Sequence, residues 1–274
     1  MDGLIDSAYL SSYDAPDIEA APFGAADVAC LYQPIIRLTD GTPASAEILV
    51  RRRDQDGVLQ GAAEFADALH AGDPARRLTG LVVRSVISDV SAGLLTGLPF
   101  LYMLNLPLHI LLDPSLPAWI DRALSEANIA PHRLGFELTE TRPVENFAEA
   151  AAAITALRAQ GHHVALDDIT ETTADLDRLF QLDFNAIKLD CRVVAALDHS
   201  WKAHDFVRRI VAACAATGKH LIAEGAEDPS MLARLRDLGV GYAQGFIIAR
   251  PLSATALRQW FEGWAHNALF PVAL

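Results

Sequence analysis

Eight short apolar runs alternate with stretches of helical periodicity, and that alternation limits the fold more than any other feature of the chain. The runs fall at 29–38, 44–51, 100–106, 133–138, 163–167, 185–189, 220–223 and 242–246. Helical patterns fill most of the gaps, at 62–71, 76–91, 116–127, 145–159, 175–181, 202–217, 229–238 and 254–264. Gly161, Gly218 and Gly239 stand where helices should stop, a few residues before the next run. Strands without polar alternation, joined by helices, build a mainly parallel sheet covered on both faces. The expected fold is α/β, an irregular TIM-type (β/α) barrel, with a doubly wound open sheet as its rival. The first connection, 39–43, carries Asp40-Gly41 and is too short for a crossover helix. The first strand should therefore pair antiparallel with the second.

With 274 residues the chain can bury one large core or two small ones. No shift in composition marks a linker, so the expectation is one barrel domain at 28–274 behind an acidic leader at 1–27. The leader has no Lys or Arg, which rules out a secretory signal, and it reads as a mobile or partner-dependent segment. Overall, 22 Lys and Arg against 35 Asp and Glu give a net charge of −13. That charge argues against a DNA or RNA polymer and against an anionic membrane surface as partners. The stretch 90–112 has no formal charge, but Gly93, Gly97, Pro99, Asn105 and Pro107 would break a spanning helix, so no membrane span is expected. Three cysteines, Cys30, Cys191 and Cys214, form no CxxC spacing and point to a reducing, cytoplasmic compartment.

What ends each run is more informative. Glu47 lies in the second run, Asn105 closes the third and Glu137 closes the fourth. Asp167 with Asp168 closes the fifth, Lys188 sits in the sixth, Glu224 follows the seventh and Gln244 lies in the last. A parallel barrel delivers all such strand ends to one mouth. Five carboxylates in one small volume repel each other unless cations neutralise them. Oxygen ligands with no His or Cys select hard ions, Mg²⁺ or Mn²⁺, over Zn²⁺. The adjacent Asp167-Asp168 pair could let one carboxylate bridge two ions, as in-line attack on a phosphodiester requires. Each residue also has a plainer reading, and the Asp pair could simply cap the following helix. Lys188 could serve as a Schiff-base lysine, but neighbouring carboxylates raise the pKa that such a role needs lowered. His162 and His163 have no metal-ligand spacing and read as solvated or capping groups.

Taken in order, these residues resemble the EAL-domain phosphodiesterases of bacterial cyclic di-GMP signalling, from about residue 31 to 261. The signature Glu-Ala-Leu-Leu-Arg stands here as Glu47-Ile48-Leu49-Val50-Arg51, behind Gln33-Pro34. Asn105, Glu137-Leu138-Thr139-Glu140, Asp167-Asp168, Lys188-Leu189-Asp190, Ala223-Glu224-Gly225 and Gln244-Gly245-Phe246 follow, with Pro251 after them. The resemblance implies hydrolysis of cyclic di-GMP to linear pGpG with two Mg²⁺ or Mn²⁺ ions. Glu47, Asn105, Glu137 and Asp167 would hold one ion, and Asp167 with Asp168 the other. Lys188 and Glu224 would position the attacking water, Arg51 would grip a phosphate, and Gln33 and Gln244 would help place the substrate. A homodimer, a loop anchored by Glu140 and a regulatory protein partner are further expectations of the resemblance.

The chain departs from the pattern after the Asp pair. Where the family reads Phe-Gly-Thr-Gly-Tyr-Ser-Ser-Leu, residues 169–176 read Ile-Thr-Glu-Thr-Thr-Ala-Asp-Leu. Thr170 and Thr172 replace both glycines, and β-branched residues resist positive φ, so the loop should follow its own path. Two functions stand on this reading: a metal-dependent phosphodiesterase, and a non-catalytic module that binds the nucleotide or another protein. The intact carboxylates favour the first and the altered loop the second.

Overall fold

The structure is a computed structural model that describes residue 13 and residues 28–61, 72–138 and 147–264. The chain opens with an antiparallel hairpin, β1 (Val28–Arg37) and β2 (Pro43–Arg53), turned at Asp40-Gly41 with Gly41 at a φ of 70°. A two-residue strand, β3 (Leu59–Gln60), folds back on the end of β2. Helix α1 (Gly72–Ser91) leads to β4 (Leu101–Leu106), then to α2 (Leu108–Leu111) and α3 (Leu116–Glu126). The alternation continues with β5 (Leu134–Leu138), α4 (Phe147–Ala159), β6 (His163–Ile169), α5 (Leu176–Leu179) and β7 (Ala186–Leu189). Helices α6 (Cys191–Ala196) and α7 (Trp201–Thr217), strand β8 (His220–Ala223), α8 (Pro229–Asp237), β9 (Tyr242–Gln244) and α9 (Ala254–Trp264) complete it.

From β2 through β4 to β9 the strands pair in parallel, and β1 pairs antiparallel with both β2 and β9. That double pairing closes an eight-stranded barrel and excludes the open sheet. The short turn after β1 is the physical reason for the irregular start, as its length required. The apolar stretch 90–112 divides into the end of α1, a turn, β4 and the start of α2. Among the described residues no helix is long and apolar enough to cross a membrane. The three cysteines are free thiols.

Two α-helices had no signal in the periodicity. Helices α2 and α6 are four and six residues long, too short to display a 3.6-residue repeat. Pro107 occupies the N-cap of α2, and the Asp190 side chain caps α6 by accepting from the Arg192 N–H. The helix expected at 62–71 lies outside the described residues.

Inside the barrel, Ile35, Met103, Ala165, Ala186 and Ile222 form an apolar plug, with Leu101 and Tyr242 against it. Five of these, Met103, Ala165, Ala186, Ile222 and Tyr242, lie two positions before Asn105, Asp167, Lys188, Glu224 and Gln244. The period of two along a strand therefore stacks a polar layer directly on an apolar one. Gly135, two before Glu137, makes room for the plug: a Cβ there would meet Met103 Sδ.

Candidate functional site

The polar strand ends converge on one mouth of the barrel. Gln33 on β1 faces Glu47 on β2, and Asn105 on β4 faces Glu137 on β5. Asp167 and Asp168 come from β6, Lys188 from β7 and Gln244 from β9, while Glu224 directly follows β8. Lys188 and Glu137 are wholly buried at the floor. The Lys188 ammonium sits among four carboxylates, with Nζ 2.5 Å from Glu224 Oε1, 2.7 Å from Glu137 Oε2, 3.2 Å from Asp167 Oδ1 and 3.4 Å from Glu47 Oε2. Asn105 Nδ2 donates to Glu47 Oε1 at 2.9 Å, and Gln244 Nε2 donates to Glu47 Oε2 at 2.7 Å. Gln244 also donates to Gln33 Oε1 at 3.0 Å, and Gln33 Nε2 donates to the Ala249 carbonyl. Gln244, itself bonded to Gln33, thus fixes Glu47 through the same oxygen that Lys188 approaches, while Asn105 holds the other.

The cluster divides by protonation. Burial drives the Glu137 carboxyl well above its ordinary range, with Glu47 and Asp167 adding to the rise and Lys188 opposing it. Burial also pushes Glu224 up, to about 8, reinforced by Asp167 and Glu47 against the pull of Lys188. Asp168 is raised by burial and by its neighbours Asp167 and Asp190. Burial works against ionised Glu47 too, but Lys188 and the bonds from Gln244 and Asn105 outweigh it, so this carboxyl is held low. Burial disfavours the Lys188 ammonium, yet Glu137, Glu47, Asp167 and Glu224 together hold its pKa far above normal. A Schiff-base lysine needs the opposite shift, which removes that alternative.

Two groups of carboxylates bring oxygens within 4.8 Å of one another: Glu47 with Glu137 and Asp167, and Asp167 with Asp168 and Glu224. Asp167 belongs to both. Asp168 takes a left-handed φ of 55°, and its N–H donates to Asp167 Oδ1 at 2.9 Å, a backbone turn that leaves oxygens of both adjacent carboxylates within 4.8 Å of each other. Glu137 Oε1 is buried without a hydrogen-bond partner. Such an oxygen is costly to bury unless a cation or donor meets it. Five carboxylates against one ammonium leave a deficit that two divalent cations would balance, and the donor set is all oxygen. The residues present therefore fit a pair of hard ions.

Above this floor lies a cavity of about 590 Å³, lined by Gln33, Glu47, Asn105, Asp167, Asp168, Glu224 and Gln244. Arg51 is on its wall, with Nη1 donating to its neighbouring carbonyl, Val50 O, and so stands apart from the carboxylate cluster. Glu140 lies outside the described residues. The sequence did not single out Ala75, Leu78, Thr79 and Val82 of α1, nor Cys191 and Glu227, which also line the cavity. The i, i+3, i+4, i+7 spacing on α1 marked only an apolar face, and nothing in it said that the face borders a cavity. Phe246 stands at the rim, half exposed, with the Arg250 guanidinium 4.2 Å from its ring centre.

The loop after the Asp pair keeps positive φ off its threonines. Thr170 and Thr172 both avoid positive φ, and the left-handed angles fall instead on Asp168 and on Asp175, at 53°. Hydroxyls close the turn: Thr170 N–H donates to Thr173 Oγ1 at 2.9 Å, and the Thr170 and Thr172 hydroxyls meet at 3.0 Å. His162 corrects an expectation. It is wholly buried, its Nδ1 2.9 Å from the Leu134 carbonyl, and is neither solvated nor a cap.

Known proteins resemble this chain in sequence and fold. Residues 19–251 match the family model for the EAL domain. A probable cyclic di-GMP phosphodiesterase, PdeB of Escherichia coli (strain K12), is 27% identical over 236 residues, spanning 86% of this chain and 45% of that protein. The cyclic di-GMP phosphodiesterase RocR of Pseudomonas aeruginosa is 29% identical over 228 residues, spanning 81% of this chain and 56% of its own. The chain thus spans about half the length of these two relatives. Among solved structures, the PaMucR phosphodiesterase in complex with c-di-GMP superposes with a TM-score of 0.78 at 22% identity, covering 85% of this chain and 94% of that one. The FimX EAL domain of Pseudomonas aeruginosa bound to c-di-GMP gives 0.70 at 22% identity, covering 83% and 91%. At those identities the likeness concerns the fold, and the family follows from the match over most of the chain: this protein belongs to the EAL domain family.

Proposed function

We propose that this chain is a metal-dependent phosphodiesterase that hydrolyses cyclic di-GMP to linear pGpG. The observation that carries the reading is the cluster of four carboxylates around Lys188, with Asp168 beside them, at the floor of a large cavity. Glu47, Asn105, Glu137 and Asp167 would hold one divalent ion, and Asp167 with Asp168 the second, Mg²⁺ or Mn²⁺ in each case. When bound, such a pair supplies Lewis acidity to the phosphoryl group and makes a nearby water acidic enough to react at neutral pH.

The chain's own residues do the rest. Glu224, on the cavity wall, orients and polarises the attacking water together with Lys188. Lys188 holds Glu224 in place at 2.5 Å and keeps positive charge beneath the reacting group. Gln244 and Gln33 fix Glu47, and Arg51 meets a substrate phosphate from the wall. Water adds across one P–O bond of the ring, leaving a linear dinucleotide with a terminal phosphate.

We place the chain in the reducing cytoplasm as a homodimer under a regulatory partner, with residues 28–274 as the barrel domain and 1–27 as its leader. The free thiols support the compartment. A second reading, a nucleotide receptor without turnover, is favoured by the threonine-closed loop beside Asp168. Incubation of purified protein with cyclic di-GMP and Mn²⁺ or Mg²⁺, with Glu47→Ala alongside, separates the two. Formation of pGpG that the variant lacks supports the enzyme, whereas binding of intact nucleotide without product supports the receptor.

A further inference from the structure

Tyr13 stands ahead of residue 19, where the match to the family model begins, and is the one described residue of the leader. It is wholly buried. Its ring stacks on Trp119 of α3 with centroids 4.7 Å apart, and its hydroxyl donates to Asp113 Oδ2 at 2.9 Å. The same Asp113 oxygen accepts from Arg76 Nε, while its other oxygen accepts from the backbone and hydroxyl of Ser115. The Tyr13 carbonyl accepts from Arg84 Nη1 at 2.7 Å. The backbone comes so close to α1 that only glycine fits opposite: a Cβ at Gly80 would overlap the Tyr13 carbonyl oxygen. This is a built socket, with stacking, hydroxyl and carbonyl each matched.

Arg76, Gly80 and Arg84 form one stripe along α1, spaced four residues apart. Ala75, Leu78, Thr79 and Val82 form another, and that stripe lines the cavity above the carboxylates. At 3.6 residues per turn the two stripes face away from each other, on the order of 150° apart. Tyr13 therefore sits behind the helix whose front is a wall of the cavity.

We propose that Tyr13 is a positioning residue for the nucleotide cavity, a latch that holds α1 as a cavity wall. Release of the latch lets α1 move away, and the site then binds its substrate less well while the carboxylate floor stays in place. Only the nucleotide part of the test rests on the cyclic di-GMP reading.

The experiment uses the full chain with Tyr13→Ala, Gly80→Ala and Tyr13→Phe. Hydrogen exchange of the α1 amides reads the wall, and KM and kcat for cyclic di-GMP with Mn²⁺ read the site. In folded Tyr13→Ala, α1 exchange should rise by about tenfold with β4 to β8 unchanged. KM should rise about fivefold with kcat within about twofold, the pattern of lost ground-state binding. Gly80→Ala, which evicts Tyr13 from the opposite side, should reproduce both effects. Tyr13→Phe keeps the stacking and should recover most of the loss. Unchanged α1 exchange in Tyr13→Ala overturns the proposal, as does faster exchange spread evenly over the barrel, or a kcat loss with KM unchanged. A wild-type protein that neither binds nor cleaves cyclic di-GMP overturns the nucleotide reading, and the α1 exchange then decides the latch by itself.

Discussion

Lys188 Nζ and Glu137 Oε2 lie 2.7 Å apart with both side chains wholly buried, and three more carboxylates reach the same ammonium. The two partners are not equivalent. Glu137 is driven toward its neutral form by burial, whereas Lys188 is held charged by everything around it. In EDTA, Glu137→Gln, which mimics the protonated carboxyl, should change unfolding stability by less than about 1 kcal/mol. Lys188→Met leaves the carboxylates facing one another and should cost about 3–5 kcal/mol. Added Mg²⁺ should then raise the melting temperature of Lys188→Met more than that of wild type, and that of Glu137→Gln less. Calorimetry with and without metal checks this; an equal loss for the two variants in EDTA would refute the assignment of the proton to Glu137.

Gly245, next to Gln244, is where the last strand end crosses another backbone. A Cβ there would overlap the Ala226 backbone oxygen, nitrogen and carbonyl carbon, none of which can rotate away. The Ala226 N–H donates to the Gln244 carbonyl at 3.0 Å, so relief of the clash must shift Gln244 and with it the bond to Glu47. Gly245→Ala should therefore destabilise by about 3 kcal/mol or more, at the upper end for overpacking. Urea unfolding, read with cyclic di-GMP binding on the folded fraction, tests it, and near-wild-type stability would contradict the close approach.

Much of this site was legible because a parallel barrel converts a one-dimensional feature, the polar residue at each strand end, into a three-dimensional one. Glu47, Asn105, Glu137, Asp167, Asp168, Lys188, Glu224 and Gln244 needed only their strands to be recognised and closed in order. What the sequence could not display were contacts between elements distant in the chain. Tyr13 meets Asp113 a hundred residues away, and no local pattern marks either. His162 was misread for a related reason: beside Gly161 it resembles a turn residue, but the turn delivers it under Phe136, whose ring it meets edge-on at 5.2 Å. The orientation of Arg51 was equally hidden, since a motif gives a residue's place on a strand but not its hydrogen bonds.

The loop after the Asp pair should respond in opposite directions at its two ends. Thr173→Ala removes the acceptor of the Thr170 N–H and should cost about 1 kcal/mol. Asp175 holds a φ of 53° with no side-chain cap bond to offset it. Asp175→Gly relieves that conformation and should gain on the order of 0.5 kcal/mol, the unfolded-state entropy of glycine taking back part of the relief. Urea midpoints of the two variants, at unchanged slope, measure both effects. Shifts of the same sign would show that the turn is not held in the conformation described.

The contribution of His162 to stability should fall as pH drops below neutrality, opposite in sign to that of the raised Glu137 and Glu224 carboxyls, which bind protons more readily in the folded state. Burial holds the imidazole below its ordinary pKa, against the opposing pull of the Leu134 and Pro131 carbonyls. A histidine whose pKa is lower in the folded state binds its proton more readily when unfolded. Its contribution is therefore complete above the unfolded value of about 6.5 and is lost as pH falls from there toward the folded value. Over that window the slope approaches about 1.4 kcal/mol per pH unit for one proton. His163, lowered by burial and by nearby positive charge, adds in the same direction. His162→Gln keeps a donor for the Leu134 carbonyl and removes the titration, so wild type should lose stability relative to this variant as pH falls between 7.5 and 5.5. Urea unfolding across that range reads the difference, and parallel curves for the two proteins would exclude this contribution of His162.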